Sequence, residues 1–370
     1  MREVLIVAGE VSGDLHAAAF AEALSARRPG VPLVGIGSGR MEAAGVTLIE
    51  RAEHLAALGL FEAVRSVPHH WQLLRTLTAR LESGRVGLLV VLDYPGFNLK
   101  VAAAAHAAGV PVLYYITPQV WAWGKGRIAE LKRVVTKAAV ILDFEEPLLR
   151  AAGIDATFVG HPLLDQVTKL PDQAEARRRL GLAADARVLA LFPGSRAQEV
   201  ARHLDIFVAV GRRLEALLPG LQIVVSVAPG MTIDRMRCPW TQVAQRPYDV
   251  LRAADAALCK SGTTTLEAAL AECPLAIAYK TNPLTMFIAL KVLKIDPVGL
   301  VNIVARRKVA PEFLQGAMTV DALSNALAPL LDRTSAVRSR MVADLQQVRA
   351  CLGSPGAAVR VAAMADGLLA

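Results

Sequence analysis

Short apolar runs that alternate with longer helical patterns restrict the fold of this sequence more than any other feature. Val4–Ala8, Val86–Leu92 and Val188–Phe192 contain no polar side chain, as expected of parallel strands covered on both faces. Strands that alternate with helices predict doubly wound α/β sheets, in which ligands bind beyond the carboxyl ends of the strands. The other predicted strands are Val31–Ile36, Val110–Ile116, Val134–Leu142, Leu221–Val227, Ala253–Cys259 and Leu275–Tyr279.

The chain divides into two such series. A polar, arginine-rich stretch from Leu170 to Ala186 separates them, and the length of 370 residues agrees with two domains of ~150 residues each. We predict a first domain over residues 1–165 and a second over residues 175–335. The helical end of the chain, from about residue 340 to 370, is expected to complete the first domain.

The bulk composition excludes several classes of protein. Four cysteines without paired spacing predict neither a metal site nor a disulfide framework, which fits a reducing compartment. No signal-peptide pattern or membrane-spanning run is present. The net charge of +8 favours an anionic substrate or an anionic membrane surface. Nucleic acid ranks last, because aromatic residues make up only 5% and no RNA-binding signature or zinc finger occurs.

Two turns of the second domain are candidate phosphate sites. Lys260-Ser-Gly-Thr-Thr-Thr-Leu-Glu267 follows a strand and opens a helix, so its backbone N–H groups and hydroxyls can bind phosphate or simply cap the helix. Pro193-Gly-Ser-Arg196 is a similar turn whose arginine can bind phosphate with two N–H groups. Two such turns on one sheet favour a diphosphate, as in a nucleotide sugar. The candidate residues are Gly194, Ser195, Arg196, Ser261, Gly262, Thr263, Thr264 and Glu267.

The first domain carries polar residues at the ends of its predicted strands. Asp93 follows Val86–Leu92 and is either a general base, with a pKa raised by partial burial, or a turn residue before Pro95. Gly9–Asp14 is either a capped turn or a loop that contacts substrate. The segment 119–127 mixes aromatic rings with cations, which suits a sugar with an anion or a packed loop. The candidate residues for contact with a substrate, in the cleft beyond these strands, are Glu10, Ser12, Gly13, Asp14, Asn98, Gln119, Trp121, Trp123, Arg127 and His161.

Other histidines and carboxylates indicate no further chemistry. His161, before Pro162, fits a structural hydrogen bond better than catalysis. No H-E-x-x-H or D-x-D pattern is present, so no metal is expected.

The segment from Leu60 to Leu81 has apolar residues at helical spacing with arginines and histidines among them. This pattern fits a helix that faces the core, and it also fits a basic amphipathic helix that lies in an anionic membrane interface. The candidate membrane residues are Phe61, Val64, Val67, Trp71 and Leu74. Residues 282–292 are a second candidate contact.

Seven stretches together resemble the lipid-A-disaccharide synthase family, and they follow the family's order over almost the whole chain. They are Ala8–Asp14, Leu92–Asn98, Tyr114–Trp123, Val159–Pro162, Pro193–Arg196, Ser261–Glu267, and Leu300–Val304 with Pro311–Gln315.

This resemblance implies the GT-B fold, in which two Rossmann-like domains face each other across a cleft that holds the active site. It implies an inverting, metal-independent glycosyltransferase without a cofactor. The expected donor is UDP-2,3-diacylglucosamine, and the expected acceptor is 2,3-diacylglucosamine 1-phosphate (lipid X). The enzyme is expected to lie peripherally on the cytoplasmic face of the inner membrane. The sequence leaves the oligomeric state open.

The resemblance also implies roles for particular residues. Asp93 matches the family's essential aspartate and is the expected general base, whereas Arg196 and the 261–264 backbone would stabilise the leaving diphosphate. Asn302, Glu267 and Glu312 match expected nucleotide contacts.

Two positions depart from the family pattern, and two alternatives remain. Gly96 replaces a second aspartate, which leaves Asp93 as the candidate base, and Ala17 replaces a glycine. One alternative is another GT-B enzyme of UDP-sugars, such as the N-acetylglucosaminyltransferase of lipid-linked muramyl peptide or a UDP-N-acetylglucosamine 2-epimerase. The other is a module that binds a nucleotide sugar or a lipid without catalysis.

Overall fold

A computed structural model describes residues 1–9, 11–54, 60–123, 126–167, 170–281 and 298–369, without the side chains of 11, 12, 60–67, 122 and 123. The chain forms two compact units, which comprise residues 1–165 with 353–370 and residues 166–352. Residues 340–352 therefore belong to the second unit and do not complete the first domain, contrary to expectation. The reason is that helix Ala336–Cys351 buries Met341, Leu345 and Val348 within the second unit.

The first unit is built on a parallel sheet of seven strands in the order β3-β2-β1-β4-β5-β6-β7. The strands are β1 (Glu3–Ala8), β2 (Leu33–Gly37), β3 (Thr47–Arg51), β4 (Val86–Leu92), β5 (Val112–Tyr115), β6 (Lys137–Val140) and β7 (Ala156–Phe158). The helices are α1 (Val11–Arg27), α2 (Gly39–Ala43), α3 (Leu60–Glu82), α4 (Pro95–Ala107), α5 (Val120–Trp123), α6 (Gly126–Val134), α7 (Glu145–Ala151), α8 (Leu163–Gln166, which crosses into the second unit) and, from the end of the chain, Ala357–Leu368.

The second unit has a parallel sheet of six strands in the order β10-β9-β8-β11-β12-β13. The strands are β8 (Val188–Phe192), β9 (Gln222–Val227), β10 (Thr241–Ala244), β11 (Ala256–Lys260), β12 (Leu275–Tyr279) and β13 (Glu312–Leu314). The helices are α9 (Gln173–Leu180), α10 (Ala197–Leu217), α11 (Pro247–Ala253), α12 (Thr264–Leu270), α13 (Leu300–Ala305), α14 (Val320–Leu331) and α15 (Ala336–Cys351), so that the last helix of the first unit is α16.

The core of the first unit lies on both faces of its sheet. Alternate residues of the central strands point to opposite faces, so that Leu5 and Val7 of β1 enter one apolar cluster and Val4 and Ile6 enter the other. Both faces are therefore covered, as the apolar runs predict.

Each sheet reverses its strand order at one place. In the first sheet the reversal lies between β1 and β4, where Ala8 pairs with Leu92. In the second it lies between β8 and β11, where Phe192 pairs with Cys259. Such a topological switch point leaves a crevice at the carboxyl ends of the strands. The loops that flank the two crevices carry four of the predicted motifs, Ala8–Asp14, Leu92–Asn98, Pro193–Arg196 and Ser261–Glu267.

Helix α3 has a buried side that packs on the core and an exposed side chain, Trp71, from the predicted membrane contact. Leu73, Leu77 and Leu81 are buried, and Leu74 is partly buried against the same cluster. Trp71 is 55% exposed, and the Nζ atom of Lys100 lies 5.6 Å from the centre of one of its rings. Phe61, Val64 and Val67 have side chains outside the described part, and the candidate contact at 282–292 lies outside it altogether. No helix among the described residues has the length and apolar character needed to cross a membrane.

Candidate active site

Asp93 stands at the end of β4 in a turn with unusual backbone angles. Its φ is 48° and that of Tyr94 is 43°, a left-handed conformation that costs free energy for residues other than glycine. The amide of Asn98 donates to the backbone oxygens of Leu92 at 2.9 Å and Asp93 at 2.7 Å. The hydroxyl of Tyr114 donates to the Asp93 backbone oxygen at 2.9 Å. These neutral hydrogen bonds hold the strained turn in place.

The ring of Tyr94 joins this turn to neighbouring elements. A Cβ added to Gly9 would lie 2.5 Å from that ring, so only glycine allows the loop after β1 to lie so close. The Nε2 atom of His70 is 3.0 Å from the Tyr94 hydroxyl oxygen, and the His70 ring packs edge-on against Phe97. The two loops of the first switch point are therefore in contact.

Asp14, a candidate residue for contact with the substrate, caps a neighbouring helix. Its carboxylate is buried and accepts hydrogen bonds from the backbone N–H groups of Ser38 at 2.6 Å, Arg40 at 3.2 Å and Met41 at 3.3 Å. This arrangement stabilises α2, because the N–H groups at the start of a helix have no partner within the helix. Contact between Asp14 and the substrate stays a prediction. Glu10 and the side chain of Ser12 lie outside the described residues.

Asn98 and Trp121 also have structural partners. The oxygen Oδ1 of Asn98 is buried without a hydrogen-bond partner among the described residues, so the side chain retains one acceptor. The indole N–H of Trp121 donates to Glu145 at 3.0 Å. Burial raises the pKa of Glu145 to about 7. Gln119 and Arg127 are exposed, and the side chain of Trp123 lies outside the described part.

His161 is a buried histidine at the end of the first sheet. Its Nδ1 accepts a hydrogen bond from the backbone N–H of Leu163 at 3.2 Å, which agrees with the structural role that the sequence favours. Burial, and to a lesser degree the nearby His16, lower its pKa to about 3, and burial lowers the pKa of His16 to about 4. Both imidazoles are therefore neutral at physiological pH.

The predicted phosphate turn after β8 is organised by Glu199 in the first turn of α10. Gly194 has a φ of 144°, and a Cβ added there would lie 2.6 Å from the Cβ of Glu199. The carboxylate of Glu199 accepts the backbone N–H of Ser195 at 3.0 Å and the Lys260 ammonium at 2.8 Å. Arg196 is exposed and precedes the helix. This ion pair joins the two loops of the second switch point.

The turn after β11 differs from an ordinary helix cap. Thr263 is the N-cap residue of α12, yet its side chain makes no capping hydrogen bond. The hydroxyl of Ser261 donates to the Val298 carbonyl at 3.3 Å, and that of Thr265 donates to the Gly262 carbonyl at 2.8 Å. Thr263 is exposed and Thr264 partly so. The Thr264 hydroxyl bonds Glu267, so the hydroxyl of Thr263 is the one that a ligand could reach.

Glu267 lies one helical turn into α12 beside Tyr248. Burial raises the pKa of the Glu267 carboxyl, although a hydrogen bond from Thr264 opposes this shift. The hydroxyl of Tyr248 is buried without a hydrogen-bond partner among the described residues, and burial together with the charge of Glu267 raises its pKa. Tyr248 lies in α11, which follows β10, and Glu267 lies in α12, which follows β11. Both residues therefore lie beyond the carboxyl ends of the strands.

Glu312 holds the loop before α13, and Asn302 holds the loop after it. The amide of Asn302 donates to the Ala310 carbonyl and to Glu312 and accepts the N–H groups of Val309 and Ala310, all at 2.7–2.9 Å. Glu312 accepts the N–H groups of Val298 and Gly299. Both side chains support these loops, and a nucleotide contact from them stays a prediction.

Several residues near the two crevices escaped the sequence analysis. Tyr94, Tyr114 and His70 support the Asp93 turn, and Lys260 and Tyr248 lie beside the loops of the second unit. Tyr94, Tyr114 and Lys260 had a usable signal, since each lies in a motif that the sequence analysis quotes. Among the described residues, no group of three His, Cys, Asp or Glu side chains is arranged to hold a metal ion.

The two parallel sheets with loops at their switch points define a GT-B type protein. A solved calicheamicin glycosyltransferase superposes with a TM-score of 0.61 at 17% identity, over 100% of this chain and 98% of its own. A Medicago truncatula protein solved with UDP-glucose has a TM-score of 0.61 at 13% identity, over 100% of this chain and 99% of its own. At such low identity these likenesses show the fold alone.

Sequence comparison identifies the family within that class. The lipid-A-disaccharide synthetase family model matches residues 4–357. A lipid-A-disaccharide synthase of Myxococcus xanthus is 40% identical, over 97% of this chain and 95% of its own. One from Coxiella burnetii is 37% identical, over 100% and 99%. The chain therefore belongs to the lipid-A-disaccharide synthetase family.

Proposed function

We propose that this chain is an inverting glycosyltransferase of lipid A biosynthesis. It transfers the sugar of UDP-2,3-diacylglucosamine to 2,3-diacylglucosamine 1-phosphate and forms the β-1,6 disaccharide 1-phosphate and UDP. One observation carries the proposal: four of the family's motif loops flank the switch points of the two sheets, which is where doubly wound sheets bind ligands.

Asp93 is the proposed general base. Its carboxylate takes the proton of the acceptor 6-hydroxyl while that oxygen forms a bond to the anomeric carbon of the donor. The bond between the anomeric carbon and the phosphate oxygen breaks, and its electron pair leaves on UDP. The strained turn supports this role, because hydrogen bonds to the backbone from Asn98 and Tyr114 fix Asp93 in one position, and a base must lie within hydrogen-bond reach of its proton.

The second unit is the proposed donor domain. Backbone N–H groups of the two turns, the exposed Arg196 and the exposed Thr263 surround the crevice between β8 and β11. Such donors stabilise charge that develops on a leaving diphosphate. Glu267 is the proposed contact for the nucleoside, and the chain needs no metal or cofactor in this scheme.

The membrane surface is a further proposed partner. Exposed Trp71 beside Lys100 combines an aromatic ring with a cation, which suits the boundary between acyl chains and anionic headgroups. The substrates carry acyl chains, and we propose that the enzyme works peripherally at the cytoplasmic face of the inner membrane. Trp71→Ser should weaken binding to anionic vesicles. Unchanged binding would contradict this part of the proposal.

The decisive experiment supplies defined substrates to the purified chain. UDP should appear only when both acylated substrates are present, and mass spectrometry should find one disaccharide 1-phosphate per UDP. Ready turnover of unacylated UDP-N-acetylglucosamine would favour one of the other UDP-sugar enzymes. Binding of UDP without any turnover would favour a non-catalytic module.

A further inference from the structure

Lys260 occupies a distinctive position in the second unit. It is the last residue of β11, and its ammonium donates to Oε1 of Glu199 at 2.8 Å. The other oxygen of Glu199 accepts the N–H of Ser195 at 3.0 Å and lies 3.4 Å from the Ser195 hydroxyl. One carboxylate thus receives donors from both loops that flank the switch point.

The ion pair lies largely out of solvent. The side chains of Lys260 and Glu199 are 17% and 16% exposed. Burial raises the pKa of Glu199, but hydrogen bonds from Lys260 and Ser195 outweigh it, so the pKa lies below its usual value. Glu199 is therefore ionised and forms an ion pair with Lys260.

The surroundings of the ammonium leave it able to bind another anion. The Nζ atom is 5.6 Å from the centre of the Tyr279 ring and 3.7 Å from the position of a Cβ built on Gly262. An ammonium carries three N–H donors, and within the described residues Glu199 accepts one of them. The ammonium thus lies beside the glycine of the proposed phosphate turn with donors to spare.

A helix-capping role accounts for only part of this arrangement. A glutamate in the first turn commonly accepts a backbone N–H just before the helix, which explains the contact with Ser195. It does not explain a lysine from another strand that is bound to the second oxygen. The consequence of this pairing is that a cation lies where the two loops of the switch point meet.

We propose that Lys260 is a further binding residue for the nucleoside diphosphate and that Glu199 is its positioning residue. This inference rests on the proposed function and adds a residue to it. Lys260 keeps its hydrogen bond to Glu199 and donates a second one to a phosphate oxygen. Negative charge grows on the leaving diphosphate as the sugar–phosphate bond breaks, so this hydrogen bond strengthens without any proton transfer.

The test compares Lys260→Met with wild type and with Arg237→Met. Arg237 also pairs with a carboxylate of α10, Asp205, but on the exposed surface. Calorimetry with UDP and with uridine separates phosphate from nucleoside contacts. Lys260→Met should weaken UDP binding by roughly 10- to 100-fold and leave uridine binding unchanged, as expected for the loss of a charged hydrogen bond. Arg237→Met should bind UDP as wild type does.

The outcomes separate this inference from the proposed function. Wild type that fails to bind UDP would overturn the proposed donor site itself. Wild type that binds UDP, with Lys260→Met within about twofold of it, would overturn only the role of Lys260. Lys260→Gln serves as the second variant if Lys260→Met does not fold, with the same expected loss.

Glu199→Gln tests positioning. As a single substitution it should weaken UDP binding by several-fold. Added to Lys260→Met it should have little further effect, because the effects of substitutions in contacting residues are not additive. Independent, additive losses would contradict the positioning role. A merely structural glutamate would lower stability in both backgrounds without this coupling.

Discussion

The two switch points hold their loops by different means. At the first, neutral side chains of Asn98 and Tyr114 donate to backbone oxygens and fix the Asp93 turn. At the second, the ion pair between Glu199 and Lys260 joins the loops. Hydrogen bonds among neutral groups vary little with ionic strength, whereas the charge of the exposed Arg196 beside this pair is screened by salt. The first region is suited to hold a geometry, and the second to attract and bind charge.

The largest expected effect separates catalysis from donor binding. Asp93→Asn should lower kcat by about 10²- to 10⁴-fold, because the amide cannot accept the proton of the acceptor hydroxyl. Its affinity for UDP should equal that of wild type in calorimetry, since the donor loops belong to the second unit. Asp155→Asn, which removes an exposed partner of Lys137, is the control. A fully active Asp93→Asn would remove the proposed base.

A change in the second region should show the opposite pattern. Arg196→Gln should weaken UDP binding by about 10-fold or more at low salt, and the difference from wild type should shrink in about 1 M salt, because Arg196 is exposed. Arg202→Gln, in the helix α10 that follows Arg196, should behave as wild type. Titrations at two salt concentrations would contradict the charge argument if the loss were independent of salt.

The first unit should also show a dependence of stability on pH. The pKa of His161 is about 3 in the folded chain, from an ordinary value of 6.5, so the unfolded chain binds more protons between these values. Stability is thus complete above pH 6.5 and decreases as the pH falls towards 3. Between pH 7 and 5 this histidine accounts for about 2 kcal/mol.

The variant His161→Asn isolates that effect, because its side-chain oxygen can accept the Leu163 N–H. Urea denaturation should show that the variant loses less stability than wild type between pH 7 and 5. Equal losses in the two proteins would mean that His161 titrates alike in the folded and unfolded chains.

The smallest expected effect concerns Gly96, where the family usually has an aspartate. A Cβ there would meet nothing within 4 Å, and the residue lies in the first turn of α4. Gly96→Asp should therefore raise the free energy of unfolding by about 0.5–1 kcal/mol, since glycine disfavours helices and an acidic residue suits a helix N-terminus. Gly96→Ala separates the two contributions. Recovery of activity by Gly96→Asp in an Asp93→Asn background would show that either carboxylate can act as base.

The elements that sequence reasoning found and missed have a physical explanation. The central strands form apolar runs because both of their faces are covered. The four strands that were not predicted, β3, β7, β10 and β13, are the edges of the two sheets. Their residues are mostly half-buried or exposed, so no continuous apolar run marks them.

The candidate site was predictable in part for a similar reason. Motifs place residues along the chain but do not show which atoms their side chains contact. Asp14 binds the start of α2, and Asn302 binds the loop that follows α13, so polar residues of a motif can serve the backbone. Lys260 is held at the proposed phosphate turn by Glu199, which is 61 residues away in sequence. Such pairings depend on the strand order, which the sequence patterns did not predict.

The packing of α16 against α1 has a consequence for the order in which the protein forms on the ribosome. Val361, Ala362 and Ala365 are buried in the same apolar cluster as Phe20 and Leu24, and residues 353–370 are synthesised after the whole of the second unit. Domains commonly form from the N-terminus onward during synthesis. Here the second unit can fold completely before the first, because the first still lacks α16. Until α16 is made, the apolar side of α1 stays uncovered, and a chaperone could bind there.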